Sequence, residues 1–294
     1  MGATFSGQAE TNSSSTCSNG GVGLGDLPES CVALILSYLD PPEICKLALV
    51  NYTFRRASSA DSVWELRLPE NHDILIKKLL HNQYHTLTKK QMFARLCQPV
   101  RFDDCTKECW LQKNEGLCVA ISWRGLKITG INDRRRWSHL SSDESRFSTV
   151  AYLQETWWLE VHGNLEFEFP AGIYSLFFRL QLGRSSKKRG RRVVDLEQVV
   201  GWHLKPIQFH LSWLSTADAS WRTASSEYIL GDEAVGEWKY YHVGDFIVEN
   251  SRIRTKVEFF MSQIDCTHRK GGICFDLVLI CPSSYSGSLD KLGS

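Results

Sequence analysis

The spacing of apolar residues changes near residue 100, and this change constrains the fold of the 294-residue chain more than any other feature. Before it, Val32, Ile35, Leu36 and Leu39 recur at the i, i+3, i+4 and i+7 positions of one helix face. After it, residues 173–182 and 273–280 alternate between two faces, as a half-buried strand requires. The sequence therefore predicts a helical N-terminal part followed by a β-sheet part.

The helical part is divided by prolines. Asp40, Pro41 and Pro42 end the first helix, and Pro42 begins a second short helix. A third helix carries Phe54 and Ala57. Three short helices in about forty residues enclose only a thin core, and further helices are predicted up to about residue 97.

The β part contains several strand candidates without helices between them, which favours an antiparallel sandwich. The predicted class is α+β and multidomain, with a jelly-roll-like β-sandwich. The predicted segments are a disordered tail at 1–23, a three-helix unit at 24–69, a helical linker at 70–99, the β-sandwich at 100–283 and a flexible tail at 284–294.

Charge and hydropathy restrict the partners. There are 34 Lys and Arg against 33 Asp and Glu, so no overall field attracts nucleic acid, and none is expected as a partner. The longest apolar run, residues 31–36, is much shorter than the ~20 residues that cross a bilayer, so no stable membrane insertion is expected. No export signal precedes the ten cysteines, which favours a reducing compartment: the cytoplasm, with the nucleus as a second expected location.

Two short segments carry localisation hypotheses. Residues 1–6 fit an acylation pattern in which Gly2 accepts a myristoyl chain, which gives only reversible membrane binding. Residues 184–192 carry six positive charges and are either a nuclear-import or polyanion-binding segment or a solvated loop.

Motifs of catalysis and metal binding are missing from the sequence. There is no G-x-S-x-G, H-E-x-x-H or P-loop, and nothing singles out a pair among the carboxylates that a glycosidase would need. The groups Cys105, Cys109, Cys118 and Cys266, His268, Cys274 lack the paired C-x2-C spacing of zinc sites. We expect no enzyme, no cofactor and no metal.

Ten tryptophans are an unusual number. Trp137 is flanked by three arginines and Ser138, which predicts an exposed loop. One of Trp157 and Trp158 is expected to face the core, and Trp202 is expected to pack.

Residues 24–68 resemble an F-box, through Leu27-Pro28-Glu29, Ile35-Leu36, the run 47–51 and Val63-Trp64. The resemblance implies that this part binds the Skp adaptor of a cullin-based ubiquitin ligase. The residues it implies for that contact are Leu27, Pro28, Ile35, Leu36, Leu39, Pro42, Ile44, Val50 and Trp64.

Residues 105–282 resemble the plant phloem lectins of the Nictaba, or phloem protein 2, type. The matching segments are Trp110, residues 120–122 and 126–128, Trp137, residues 150–153, 157–163, 174–182, 243–246 and 271–273. The resemblance implies a β-sandwich that binds oligosaccharides, with Trp137 and Asp245 at the site. The family has a first tryptophan where this chain has Gly130, which is a departure from the pattern.

The two resemblances together predict a non-catalytic substrate-recognition subunit of an SCF-type (Skp–cullin–F-box) ubiquitin ligase. Its expected partners are a Skp adaptor, the cullin, and a glycan or glycoprotein client. Two alternatives remain open: a stand-alone carbohydrate-binding protein, and an F-box adaptor whose sandwich binds a protein client and has lost sugar binding.

Overall fold

The computed structural model describes residues 27–80, 86–112, 116–188, 191–196, 199–231 and 235–289. The predicted tail at 1–23 and the acylation candidate Gly2 lie outside these ranges. The chain divides into two compact units, Met1–Val63 and Trp64–Ser294. In the described part, no helix has the length and apolarity needed to span a bilayer.

Seven short α-helices are present in the described residues. They are α1 (Glu29–Leu36), α2 (Pro41–Leu47), α3 (Tyr52–Ala57), α4 (Asp61–Glu65), α5 (His72–Leu80), α6 (Lys89–Leu96) and α7 (Ser286–Leu289). Helix α1 ends at Leu36, four residues before the predicted stop at Asp40–Pro42, and α2 begins at Pro41 rather than at Pro42. The carboxylate of Glu43 accepts a hydrogen bond from the Asp40 backbone at the start of α2, and the Asn51 side chain accepts one from the Phe54 N–H at the start of α3.

The first unit has a small core. Helix α1 packs against α3, and Val32, Leu36, Ile44 and Phe54 are buried. Ile35, predicted on the buried stripe of α1, is instead 41% exposed. Since α1 has only eight residues, its buried side consists of positions 32, 33 and 36, and Ile35 falls outside it.

Fifteen strands are described in the second unit. They are β1 (Val100–Phe102), β2 (Lys107–Gln112), β3 (Gly116–Ser122), β4 (Lys127–Ile128), β5 (Trp137–Ser141), β6 (Thr149–Leu153), β7 (Leu159–Phe167), β8 (Gly172–Leu182), β9 (Arg184–Lys188), β10 (Arg191–Asp195), β11 (Ile207–Leu214), β12 (Trp221–Tyr228), β13 (Lys239–Val248), β14 (Thr255–Gln263) and β15 (Ile273–Pro282).

These strands form two main antiparallel sheets. In the eight-stranded sheet, β15 is central: β8 lies along one edge, β3 and β6 share the other, and β13 follows β8. The five-stranded sheet has the order β12-β11-β14-β7-β4. Strands β9 and β10 pair as a hairpin, so the backbone of the basic segment 184–192 is partly in strands.

The two main sheets pack face to face through aromatic rings. Phe178 of β8 lies 5.3 Å from Phe209 of β11 and 6.0 Å from Phe259 of β14, measured between ring centroids. Apolar alternation along β11 and β14 supplies one side of this core, and the fully buried β15 and most of β8 lie on the other side. The predicted helical unit followed by an antiparallel sandwich is confirmed.

Residues 70–99 differ from the predicted linker because they belong to the second unit. The Asn71 side chain is buried and donates to the backbone carbonyls of Glu168 at 3.0 Å and Ser251 at 2.8 Å. The Lys78 ammonium lies 2.5 Å from the Glu168 carboxylate. Helix α5 is therefore fastened to the sandwich.

The predicted flexible tail at 284–294 is wrong for its first residues. Tyr285 and Leu289 are buried in a cluster with Trp110 and Phe177. Packing of these two apolar side chains orders the segment through α7.

Candidate functional sites

The first unit has several large apolar side chains that are exposed to solvent and do not belong to its core. They occur at the end of α1, in the turn after α2 and at the start of α3, and range from 41% exposed (Ile35) to 84% exposed (Tyr38). We call these residues the exposed apolar set: Leu34, Ile35, Tyr38, Leu49, Val50 and Tyr52. Large exposed apolar side chains in such number are suited to contact with another molecule.

The residues predicted to contact a Skp adaptor fall into three groups. Pro28, Ile35, Pro42 and Val50 are exposed, and Leu27 and Leu39 are half-buried. Leu36, Ile44 and Trp64 are buried.

The last group needs a correction. Leu36 and Ile44 have no exposed surface, and Trp64 packs with Phe93 at 5.3 Å between ring centroids. Leu36 and Ile44 are covered inside the first unit and Trp64 is covered inside the second, so none of the three presents its side chain to a partner.

Sequence reasoning missed four members of the exposed apolar set: Leu34, Tyr38, Leu49 and Tyr52. Leu34 and Tyr38 lie off the apolar stripe of α1, and Leu49 lies in the turn between α2 and α3. An apolar residue off a helix stripe has no core position to fill. That signal was available in the sequence.

Trp137 is buried, contrary to the exposed loop that its arginine neighbours predict. Only 3% of its surface is exposed. Its indole N–H donates to the Thr129 carbonyl at 3.0 Å, and its ring lies 5.8 Å from that of Phe275. Trp137 begins β5 and pairs with Leu153, which turns it inward. It does not present a broad face to a sugar.

Asp245 does present an exposed carboxylate, on β13. It accepts a hydrogen bond from the Ser175 hydroxyl at 2.5 Å and lies 2.9 Å from Nε2 of His242. The hydrogen bond from Ser175 fixes the orientation of the carboxylate.

The structure does not bring Trp137 and Asp245 together. Asp245 pairs with Ser175 of β8, whereas Trp137 connects through β6 and β15 to Leu182 of β8. Seven residues of β8 separate these register positions, about 23 Å at ~3.3 Å per residue. They cannot share one sugar ring.

Gly130 occupies a backbone position that suits glycine. Its φ is +66°, in the left-handed region, although a Cβ there would meet nothing closer than the Arg136 side chain at 3.6 Å. Backbone conformation rather than lack of space disfavours a tryptophan at this position.

Three other tryptophans of the second unit are exposed: Trp157 by 55%, Trp158 by 41% and Trp221 by 47%. The prediction that one of Trp157 and Trp158 faces the core is wrong. Both precede Leu159, where β7 begins, so strand alternation does not force either inward. Trp202 is 1% exposed, and its packing role is confirmed.

A buried lysine holds the loop that carries Trp157 and Trp158. The Lys270 ammonium donates to the carbonyls of Trp157 at 2.7 Å, His268 at 3.3 Å and Asp265. The backbones of Lys270 and Thr156 exchange two hydrogen bonds. Burial lowers the pKa of Lys270. The two indoles are therefore displayed on an anchored loop.

Two of the buried thiols, Cys109 and Cys274, lack the character of nucleophiles. Burial raises the pKa of Cys109 and of Cys274 to about 12. Thiols with such pKa values stay protonated at neutral pH. Within the described ranges, no three His, Cys, Asp or Glu side chains are grouped to hold a metal.

Comparison with known proteins places the chain in a family. A family model described as Phloem protein 2 matches residues 116–282, and one described as F-box-like matches residues 24–67. F-box protein PP2-A13 of Arabidopsis thaliana is 52% identical over 261 residues, 88% of each chain. The chain belongs to the phloem protein 2 family of F-box proteins.

A second relative supports the same family assignment. F-box protein PP2-A12 of Arabidopsis thaliana is 51% identical over 271 residues, covering 92% of this chain and 91% of its own. Among solved structures, TmCBM61 in complex with beta-1,4-galactotriose aligns with 55% of this chain and 90% of its own, at 13% identity and a TM-score of 0.29. The F-box match covers the helical unit, and the phloem protein 2 match covers the sandwich from β3 to β15.

Proposed function

We propose that this chain is a non-catalytic substrate-recognition subunit of an SCF-type ubiquitin ligase. Its helical unit binds a Skp adaptor, which links it to the cullin, and its phloem protein 2 domain binds a glycan or glycoprotein client. The chain then acts by proximity, raising the effective concentration of client lysines near the conjugating enzyme.

The exposed apolar set is the observation that carries the adaptor half of this proposal. Covering one large apolar side chain contributes about 1.5 to 3 kcal/mol. Several such residues in the F-box-like segment therefore supply enough free energy for a stable complex. The half-buried Leu27 and Leu39 and the exposed Pro28 and Pro42 extend the proposed contact.

The adaptor half is tested with two charges in the exposed apolar set. We expect Leu49→Glu combined with Val50→Glu to weaken binding to a purified Skp adaptor at least tenfold, because two carboxylates would have to leave water. Isothermal titration calorimetry measures the affinity. Ile253→Glu, at a position of the second unit that is 46% exposed, is the matched control and should leave the affinity unchanged. Unchanged binding of the double variant rejects the docking surface.

The glycan half of the proposal is supported by family membership and by the exposed tryptophans. An indole face stacks on the apolar C–H face of a sugar ring, and exposed indoles on ordered loops and strands are suited to that contact. A glycan array probed with the full chain tests this half. Binding above that of a heat-unfolded sample is expected.

The burial of Trp137 favours a second candidate for the client half. A family member without an accessible tryptophan at that position can use its sandwich to bind a protein surface. If a folded sample bound no glycan on the array but still bound the Skp adaptor, this result would support the second candidate and reject the glycan half.

We also propose that the chain works in the cytoplasm and the nucleus, since a ligase subunit must meet its cullin there. The support is the basic segment 184–192, which carries six positive charges. Imaging of a fluorescent fusion with the six positive residues of 184–192 changed to Gln tests nuclear entry. Loss of the nuclear signal is expected.

A further inference from the structure

The five-stranded sheet has an outer face that carries aromatic residues. Apolar residues such as Phe209 and Phe259 alternate inward, so even-numbered residues of β7, β11 and β14 and odd-numbered residues of β12 point outward. The described residues on this face are half-buried or exposed, as expected of a surface open to solvent. We call it the outer face.

A row of aromatic rings crosses the middle of the outer face. Phe260 of β14 lies between His162 of β7 and His210 of β11, which are its direct strand partners. The ring centroids are 5.7 Å and 4.5 Å apart, and the Phe260 and His210 rings are stacked. A shallow cavity of about 320 Å³ opens beside this row and is lined by Phe260, Glu258 and Asn164 among others.

Large apolar groups also lie at both ends of the outer face. Trp158 directly precedes β7 and Ile264 directly follows β14, beside the paired residues Leu159 and Gln263 at this end of the sheet. At the other end, Trp221 pairs with Leu214, and the Lys256 ammonium lies 5.5 Å from its ring centroid. Trp158, Ile264 and Trp221 are each at least 41% exposed.

Polar side chains fill the rows between these apolar groups. They supply carboxylates, which accept hydrogen bonds, and carboxamides and hydroxyls, which both donate and accept them. The two rows are Glu160, Ser262, Gln208 and Glu227, and Asn164, Glu258, Ser212 and Thr223.

The charges of the outer face select against an anionic ligand. Its described residues include four glutamates and two lysines: Glu160, Glu166, Glu227, Glu258, Lys127 and Lys256. Lys256 already pairs with Glu258 at 3.2 Å. A polyanion would meet excess negative charge, whereas a neutral ligand rich in hydroxyls would meet both donors and acceptors.

The length of the outer face indicates an extended ligand. Eight residues along β7 separate the positions of Trp158 and Glu166, about 27 Å at ~3.4 Å per residue. Glu166 is the strand partner of Lys256, whose ammonium lies beside the Trp221 ring, so Trp221 is at the far end from Trp158. One sugar ring cannot contact both ends. Resting on the glycan half of the proposed function, we propose that the outer face binds an extended, neutral oligosaccharide, with Trp158 and Trp221 as terminal stacking platforms and the Phe260 row between them.

The test uses the full chain and a series of neutral glucose, galactose, mannose and N-acetylglucosamine oligomers of one to six units. We expect affinity for at least one series to rise at least tenfold from the monosaccharide to the hexasaccharide. Trp158→Ala and Trp221→Ala should each lower affinity for the hexasaccharide about tenfold, the equivalent of ~1.4 kcal/mol. Calorimetric titration measures each affinity.

Matched variants separate stacking from general loss of structure. Trp158→Tyr keeps an aromatic ring and should retain most of the affinity, whereas Trp158→Leu should lose it. Ile247→Ala removes an exposed apolar side chain from the other sheet and should have no effect. Thermal melts should agree within a few degrees among all variants.

The outcomes separate this inference from the proposed function. Oligosaccharide binding that neither rises with chain length nor responds to Trp158→Ala and Trp221→Ala overturns the outer face as the site and leaves the glycan half standing. No binding to any oligosaccharide, with Skp binding intact, overturns both the inference and the glycan half. A protein client that competes for the outer face in place of sugar also overturns the inference.

Discussion

At the scale of single residues, the second unit reverses the usual positions of lysine and tryptophan. Lys270 is fully buried, while Trp157, whose carbonyl it binds, is 55% exposed. A buried ammonium is costly unless its hydrogen bonds are satisfied, and here backbone carbonyls satisfy them. The hydrogen bonds from this one buried ammonium therefore anchor the loop that displays the indoles of Trp157 and Trp158.

We expect Lys270→Met to lower the free energy of unfolding by about 3 kcal/mol, because the carbonyls of Trp157, Asp265 and His268 lose their donor. Chemical denaturation measures this change. Amide hydrogen exchange in residues 154–158 should also accelerate. Lys205→Met, at an exposed lysine of the same unit, is the control and should stay within about 0.5 kcal/mol of the unchanged chain. Equal stability of the two variants would contradict the anchoring role.

At the scale of elements, α5 joins the sandwich through ion pairs around Glu168. Its carboxylate lies 2.5 Å from Lys78 of α5 and 2.6 Å from Arg254, which directly precedes β14. Burial acts to raise the pKa of Glu168, but the hydrogen bonds from Lys78 and Arg254 outweigh it and hold the pKa below its ordinary value of 4.5. Ionisation of the Glu168 carboxylate therefore stabilises the folded state.

The pH dependence of this contribution has a definite sign. Because the pKa of Glu168 is lower in the folded state, its stabilisation is complete above the ordinary value of 4.5 and is lost as pH falls through the folded pKa. Glu168→Gln should lower the free energy of unfolding by about 2 kcal/mol at pH 7. The difference from the unchanged chain should shrink below about pH 4.5 in urea denaturation at several pH values. Glu227→Gln, at an exposed position of β12, is the control and should change the free energy of unfolding at pH 7 by less than about 0.5 kcal/mol.

At the scale of the whole molecule, the chain contains two compact units, and each has buried apolar residues of its own. The exposed apolar set belongs to the first, and the outer face belongs to the second. Binding of an adaptor by one unit and of a client by the other therefore needs no shared residue.

Independence of the two units is measurable in a double-variant cycle. Leu49→Glu with Val50→Glu should leave oligosaccharide affinity unchanged, and Trp158→Ala should leave Skp affinity unchanged. The coupling free energy between the two changes should be below about 0.5 kcal/mol, as for sites without common partners. A larger coupling would show that the two binding events communicate.

Some features of this protein follow from local sequence alone. The change of apolar period near residue 100 predicts helices before a sheet, and the prolines at 41 and 42 predict a new helix near that point, which is α2. Both depend on neighbouring residues in the chain, whose geometry is fixed by backbone sterics. Core residues such as Phe54 and Ala57 can be predicted from local sequence for the same reason.

Other features depend on contacts between distant segments. The arginines beside Trp137 predict exposure, but pairing of β5 with β6 buries it. Trp157 and Trp158 are exposed because β7 begins only after them and Lys270, more than a hundred residues later, holds their loop. Local sequence thus determined which segments became helices and strands, whereas tertiary pairing decided which side chains remained on the surface, because burial depends on residues that only folding brings close.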